Sequence, residues 1–261
     1  KARLPKTDRD RLATKKVFSA SGGLENLVKA MEETIGRPNI TLSASGITIR
    51  PSENGWQATY KTSEGEQTLH ANTVVTTCGA YTLSALLPFI PAVDMDKISN
   101  LQYAPVVQVS VGIRNTGNLH FNAFGGLVPS CEKKDVLGIL FPAACFDNRA
   151  PKGGALFSFF IGGVKRSELT RLTDDELKAL VIHEFHAMLK FPIGIQPDMI
   201  RIFRHAHAIP QYELSSGERF ATIDKLQTRY PGLILAGNIK GGIGMADRIR
   251  QATGIAENLL M

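Results

Sequence analysis

The sequence predicts an α+β fold in which a mixed β-sheet domain is inserted into an α/β unit built from both ends of the chain. Three observations predict it. Long apolar runs fill the middle, β-branched at Val106–Ile113 and followed by Val136–Phe141 and Ala155–Ile161. Helical spacing appears before and after them. The chain closes on a short apolar strand, a glycine-rich turn and a final helix. Strands that cluster centrally, rather than alternating with helices, favour α+β over a doubly wound sheet.

The elements follow in order. Leu24, Leu27, Val28, Met31 and Ile35 fall at i, i+3, i+4, i+7 and i+11, one face of a helix that Gly36-Arg37-Pro38 stops. Ile47–Arg50 and Trp56–Lys61 read as strands joined through Glu53-Asn54-Gly55, a hairpin signal. Thr68–Ala71, turned by Glu64-Gly65-Glu66, and Val74–Thr77 add two more. Glycine pairs at 125–126, 153–154 and 162–163 punctuate the central strands. Thr173–Leu189 returns to helical spacing with Leu177, Leu180, Val181, Phe185 and Met188 on one face. Met199–Ala206 is a strand, and Arg219–Tyr230 a helix ending before Pro231-Gly232. Leu233–Ala236, the turn and the last helix complete the chain. The segmentation is a basic connector over 1–16, an α/β unit from 17–95 and 213–261, and a sheet domain over 96–212.

Composition narrows the function. The 261 residues are 43% hydrophobic and 21% charged, an ordinary globular balance. No apolar run reaches the roughly 18–20 residues that span a bilayer, and no apolar centre marks a signal peptide in the opening KARLPKTDRDRLATKK. That opening lacks Met, as a fragment would. The net charge is +6, and at least half of the excess lies in the first 16 residues, where Lys and Arg outnumber Asp8 and Asp10. A solvated connector and a contact for anionic partners or lipid headgroups both fit. Nucleic acid is not expected, because no aromatic-studded basic strand or reader motif is present. Three cysteines, Cys78, Cys131 and Cys145, have no short paired spacing, which argues for a reducing compartment and against a zinc site.

Most candidate motifs reduce to structure. His183-Glu184-Phe185-His186 puts its histidines at i and i+3, not the i and i+4 of a zinc-protease helix, so no metal site is expected. His205 and His207 share one strand face but lack an evident third ligand. Asp174, Asp175 and Glu176 sit where a helix begins, which the helix dipole explains. Arg149 serves either a turn or an anion. No GxSxG elbow and no complete GxGxxG fingerprint occur. The closing block LILAGN-x₅-G-x-x-x-A-D-R-I is different. Gly237, Gly241, Gly242 and Gly244 allow close backbone approach, and the following helix start can hold an anion. A plain turn without a ligand fits that block equally well.

Four blocks, in order, carry a resemblance: FSASGGLENLVKAM, LGILFPAACFDNRAPKGGALFSFFIGG, AIPQY and PGLILAGNIKGGIGMADRI. Together they resemble the later blocks of protoporphyrinogen oxidases, within the amine-oxidase-like flavoproteins. The match runs from about Val17 to Leu260. The glycine block is common to the superfamily; F-x₂-R-A-P with AIPQY is narrower.

The resemblance implies an incomplete FAD-binding α/β domain, lacking its amino-terminal dinucleotide-binding unit, with the mixed β-sheet as substrate-binding domain. It implies six-electron oxidation of protoporphyrinogen IX to protoporphyrin IX in haem biosynthesis, with FAD bound weakly or not at all by this fragment. Asn238, Gly244 and Met245 match positions at the flavin end or its ribityl–phosphate linkage, Ile47 an adenine-pairing strand, and Thr77 the strand end beneath the nucleotide. Leu127, Leu140 and Phe160 match apolar walls of the tetrapyrrole pocket, as a flat macrocycle requires. No catalytic side chain is implied, since the cofactor carries the chemistry. Where the family often has Trp before AIPQY, this chain has His205. Coproporphyrinogen oxidation, another amine-oxidase-like flavoenzyme, and a non-catalytic tetrapyrrole-binding module remain alternatives. A cytoplasmic location is expected, with peripheral attachment to the inner face of the membrane and self-association both compatible.

Overall fold

The computed structural model describes residues 18–260; the basic connector at 1–16 lies outside them. Two compact units emerge. Among the described residues, one takes 18–40, Val109–Phe159 and Lys178–Arg201, and the other Thr41–Gln108, Phe160–Leu177 and 202–260. This division cuts several long elements along their length. The sequence segmentation also cuts an element, its 95/96 boundary falling within the helix Ala92–Ser99, while its 212/213 boundary lies in a loop.

In the second unit, β1 (Ser45–Ser52), β2 (Gly55–Thr62) and β3 (Gly65–Ala71) form an antiparallel meander in that order. Glu53 and Asn54 make the first turn and Ser52 pairs with Gly55, so the hairpin signal lies where the sequence put it. β4 (Val74–Thr76) pairs in parallel with β10 (Leu233–Leu235), Val75 opposite Ile234. The helices here are α2 (Leu83–Leu86), α3 (Ala92–Ser99), α6 (Ser216–Arg229) and α7 (Met245–Leu260). Sequence periodicity did not foresee α2 or α3, which are short.

Their core gathers Trp56, Leu83, Leu87, Ile98, Ile223, Leu226 and Ile239. Trp56 lies 5.5 Å from Phe89, which meets Tyr230 edge-on at 5.0 Å, and the indole N–H donates to the Pro231 carbonyl at 3.3 Å. That bond ties the meander to the turn leading into β10. It also satisfies the one polar atom of the ring, which burial would otherwise leave without a partner.

In the first unit, α1 (Glu25–Ile35) occupies the predicted span, but its apolar face is uncovered among the described residues: Val28 is 63% and Ile35 54% exposed. Periodicity identifies a face and does not say what meets it. β6 (Gly125–Leu127) pairs antiparallel with β7 (Gly138–Leu140). β7 is shorter than the Val136–Phe141 run, since Pro142 opens the one-turn helix α4 (Pro142–Cys145). Flanking residues still bond across, Val128 N–H to Leu137 O at 2.9 Å and Phe141 N–H to Phe124 O at 3.0 Å.

β8 (Ala155–Gly162), β5 (Tyr103–Ile113) and β9 (Met199–Pro210) complete a five-stranded sheet in the order β6-β7-β8-β5-β9. β9 runs four residues beyond the predicted Ala206. α5 (Asp174–Leu189) buries Leu177, Val181, Phe185 and Leu189, spaced by four. At its start Thr173 and Glu176 form a capping box: the Thr173 N–H donates to Glu176 Oε2 at 2.7 Å and the Glu176 N–H to Thr173 Oγ1 at 3.3 Å. The Thr173 backbone bond, then its hydroxyl, hold the Glu176 carboxyl below its ordinary range. The cap therefore acts above that range and is lost as pH falls through the lowered value. Of the acidic cluster at this helix start, Glu176 thus serves as the cap, while Asp174 accepts from Arg204 at 2.5 Å.

Candidate functional site

The glycine-rich turn between β10 and α7 is built so that its carbonyls face protein. The Gly237 carbonyl accepts from Arg248, and the Asn238 carbonyl from the Tyr212 hydroxyl at 2.9 Å. The Ile239 carbonyl accepts from Arg219 Nε at 3.1 Å. The Lys240 carbonyl takes Arg248 Nη2 at 3.0 Å and Gln251 Nε2 at 3.2 Å. The Gly242 carbonyl takes Arg248 Nη2 at 2.8 Å and, at 3.2 Å, shares the single Tyr212 hydroxyl proton with the Asn238 carbonyl.

Each contact comes from an element packed against the turn. Arg248 and Gln251 are one helical turn apart on α7, so they share a face. Arg219, on α6, is 3% exposed and also donates to Ser216 Oγ. Its guanidinium lies 5.1 Å from the Tyr212 and Phe220 ring centres, and burial pulls its pKa below the ordinary value. Tyr212 is the tyrosine of the AIPQY block. Its hydroxyl joins that block to the glycine block.

Around this turn lies a cavity of about 560 Å³, within the roughly 300–1,000 Å³ usual for small-molecule sites. Its walls are chiefly aliphatic, from Val75, Ile243, Ile255 and Leu259, with Thr77, Asn238, Arg248 and Gln251 as the polar members. Gly237, with φ of 90°, sits where a Cβ would come within 2.8 Å of the Thr77 carbonyl. Gly237→Ala is therefore expected to cost about 1–3 kcal/mol through strain at positive φ and to narrow the cavity. Urea denaturation of the two proteins measures it; equal midpoints would show that the turn does not require glycine.

The predicted site residues separate. Thr77, one residue past β4, and Asn238 line the cavity together. Gly244 and Met245 stand at the start of α7, outside the lining. The Gly244 N–H, expected to face a ligand anion, instead donates to Asp247 Oδ2 at 3.1 Å, so the helix meets a carboxylate of its own. Ile47 is 41% exposed on β1, between Ser45 and Thr48, where the pairing register shifts and breaks the regular ladder. Leu127, 89% exposed, and half-buried Leu140 lie on β6 and β7 of the first unit, while Phe160, half-buried on β8, belongs to the second. The high exposure of Leu127 sets it apart from ordinary β-core packing.

His205 is exposed on β9. Two positions on, His207 stacks on Tyr81 at 3.8 Å with a 19° interplanar angle. Sequence reasoning passed over Tyr81, Tyr103, Arg219, Arg248 and Gln251. Only Arg248 carried a local signal, inside the ADRI of the closing block.

The residues present fit a flavin. A flat, largely apolar ring system suits aliphatic walls with a few polar groups. A turn whose carbonyls are tied to protein also turns fewer acceptors toward an electron-rich ligand. The buried Arg248 Nε has no hydrogen-bond partner among the described residues, which leaves one donor in reserve.

Comparisons with known proteins agree. The chloroplastic protoporphyrinogen oxidase of Nicotiana tabacum is 29% identical over 269 residues, spanning 98% of this chain and 49% of that protein. Coproporphyrinogen III oxidase of Bacillus subtilis is 20% identical, spanning 92% and 50%. The chain thus covers about half the length of these curated relatives. A solved structure from Exiguobacterium sp. 255-15 shares the fold, with a TM-score of 0.78 at 21% identity over 92% of this chain and 51% of that one. The family model for flavin containing amine oxidoreductases matches residues 1–259, and with the turn, the cavity and the shared fold on that same span, the chain belongs to this family.

Proposed function

We propose that this chain supplies the flavin-facing turn and a substrate-binding sheet of an FAD-dependent oxidase that converts protoporphyrinogen IX to protoporphyrin IX in haem biosynthesis. The observation that carries the reading is the carbonyl-clasped turn of Gly237–Gly242, with Thr77 and Asn238 at one cavity wall. The identity to a protoporphyrinogen oxidase over nearly the whole chain supports the substrate. A bound FAD would supply two-electron acceptor chemistry, and three rounds, each followed by reoxidation by dioxygen or another external acceptor, would remove six electrons and six protons from the substrate.

The chain's own residues position and shelter. Thr77, Asn238 and the aliphatic wall seat the ring system, with Gly244, Met245 and Ile47 as the proposed contacts along the rest of the cofactor. Leu127, Leu140 and Phe160 offer apolar surface to the tetrapyrrole. Coproporphyrinogen is the second reading, favoured by the Bacillus subtilis relative, whose identity is lower.

A two-stranded parallel sheet is marginal without further strands. The Leu235 N–H on β10 is already capped by Gln227 Oε1 at 2.8 Å, so the β4 side is where a strand of a longer protein would add. We therefore expect the 261-residue chain to hold FAD weakly or not at all. Exposed Met245, Ile249 and Leu259 on α7 favour self-association. Among the described residues no helix is long and apolar enough to cross a membrane; a cytoplasmic protein resting peripherally on the membrane is our proposal for its location.

Two measurements test this. After incubation with FAD and desalting, the chain should carry little flavin absorbance; a stoichiometric yellow protein would overturn the weak-binding expectation. The protein from the gene extended upstream of Lys1 should generate protoporphyrin fluorescence from protoporphyrinogen. Fluorescent product from coproporphyrinogen alone would transfer the assignment to that substrate, and none from either would end it.

A further inference from the structure

Asn238 is held at both ends, and the second hold comes from a residue far away in sequence. Its backbone carbonyl accepts from Tyr212, while its side-chain Oδ1 accepts from the Tyr103 hydroxyl at 3.3 Å, across 135 residues. The Tyr103 hydroxyl in turn accepts the Ala80 N–H at 3.0 Å. A hydroxyl carries one proton. With the Ala80 N–H filling a lone pair, that proton is directed to Asn238.

The tyrosine ring is itself fixed. Tyr81 meets it edge-on at 5.3 Å and His207 at 5.7 Å, both at 84°, and those two partners stack on each other at 3.8 Å. Burial, the largest influence, raises the Tyr103 phenol above its ordinary range. The proton thus stays in place through neutral and mildly alkaline pH and is lost only as pH rises through the raised value.

We propose that Tyr103 is a positioning residue that fixes the orientation of the Asn238 amide, so that the cavity presents the Nδ2 donor to its ligand instead of the Oδ1 acceptor. An asparagine amide presents either two donors or an acceptor depending on a half-turn of its end group, and only its partners decide which. Here Oδ1 is taken by Tyr103, and Nδ2 is the end left for a ligand in the cavity that Asn238 lines. The site therefore selects a ligand group that accepts hydrogen bonds, such as a ring carbonyl or a phosphate oxygen. The identity of that ligand as a flavin rests on the function proposed above; the orientation of the amide does not.

The experiment has two arms. In the ligand-free chain, Tyr103→Phe should shift the Asn238 side-chain ¹³Cγ, ¹⁵Nδ2 and ¹Hδ2 NMR resonances, while the Trp56 indole resonance stays in place as a check on folding. Unchanged Asn238 resonances in a folded variant would overturn the proposal, whatever the ligand. In the upstream-extended protein, Tyr103→Phe should weaken FAD binding about 5- to 10-fold, the worth of one hydrogen bond. In an Asn238→Ala background the same change should have almost no effect. Equal losses in both backgrounds would mean that Tyr103 acts on packing and not through Asn238. A wild-type extended protein that takes up no FAD would sink the flavin reading, and the NMR arm would still decide the orientation.

Discussion

Arg248→Met is expected to lower the stability of the glycine turn and α7 by about 2–4 kcal/mol, from the loss of charge-assisted bonds to buried carbonyls. The guanidinium bonds the Gly237, Lys240 and Gly242 carbonyls and Gln251 Oε1. Methionine keeps the aliphatic stem and removes every donor. Lys240 retains Gln251 and Gly242 retains Tyr212, but no other described side chain reaches the Gly237 carbonyl. Arg248→Lys should recover little, because an ammonium cannot fork across carbonyls spread along a turn. Hydrogen exchange of the 236–250 amides measures the effect locally. Retained protection in Arg248→Met would mean that Tyr212, Arg219 and Gln251 hold the turn without it.

Phe157→Ala is expected to be the most damaging change in the first unit, at about 3–5 kcal/mol. Phe157 is fully buried and meets Phe121 at 4.8 Å, Phe141 at 5.4 Å, Phe191 at 6.2 Å and Phe185 at 6.3 Å. Phe185 and Phe191 stack face to face at 4.2 Å beside it. Removing the central ring of such a cluster opens a cavity that rigid neighbours cannot fill, since aromatic rings have few ways to relax. Phe157→Leu should cost about 1–2 kcal/mol, the rest of the volume being kept. Denaturation followed by circular dichroism checks both. A small, equal loss for Ala and Leu would show that the cluster repacks.

Elements whose cause is local were legible. Glu53-Asn54-Gly55 made a two-residue turn, the apolar run at Ala155 became a buried strand, and the helix read over Thr173–Leu189 formed as α5, because each depends on neighbours a few residues away. The face of α1 was legible too, and its exposure was not. Of the candidate site, Thr77 and Asn238 were reachable because each sits at a strand end that opens a turn. The aromatic and basic groups that shape those two were not.

By itself the sequence determined the α+β class, most strand and helix positions, and the family, since periodicity, turn residues and ordered motifs are all written in short stretches of chain. Tertiary structure alone decided what the closing glycine turn does. The residues that clasp it, Tyr103, Tyr212, Arg219 and Arg248, come from separate elements. It also decided that the Gly244 amide, just before α7, bonds Asp247 and that the Asn238 amide has a fixed orientation. Hydrogen-bond donors find acceptors by distance in space, and Tyr103 and Asn238 lie 135 residues apart along the chain.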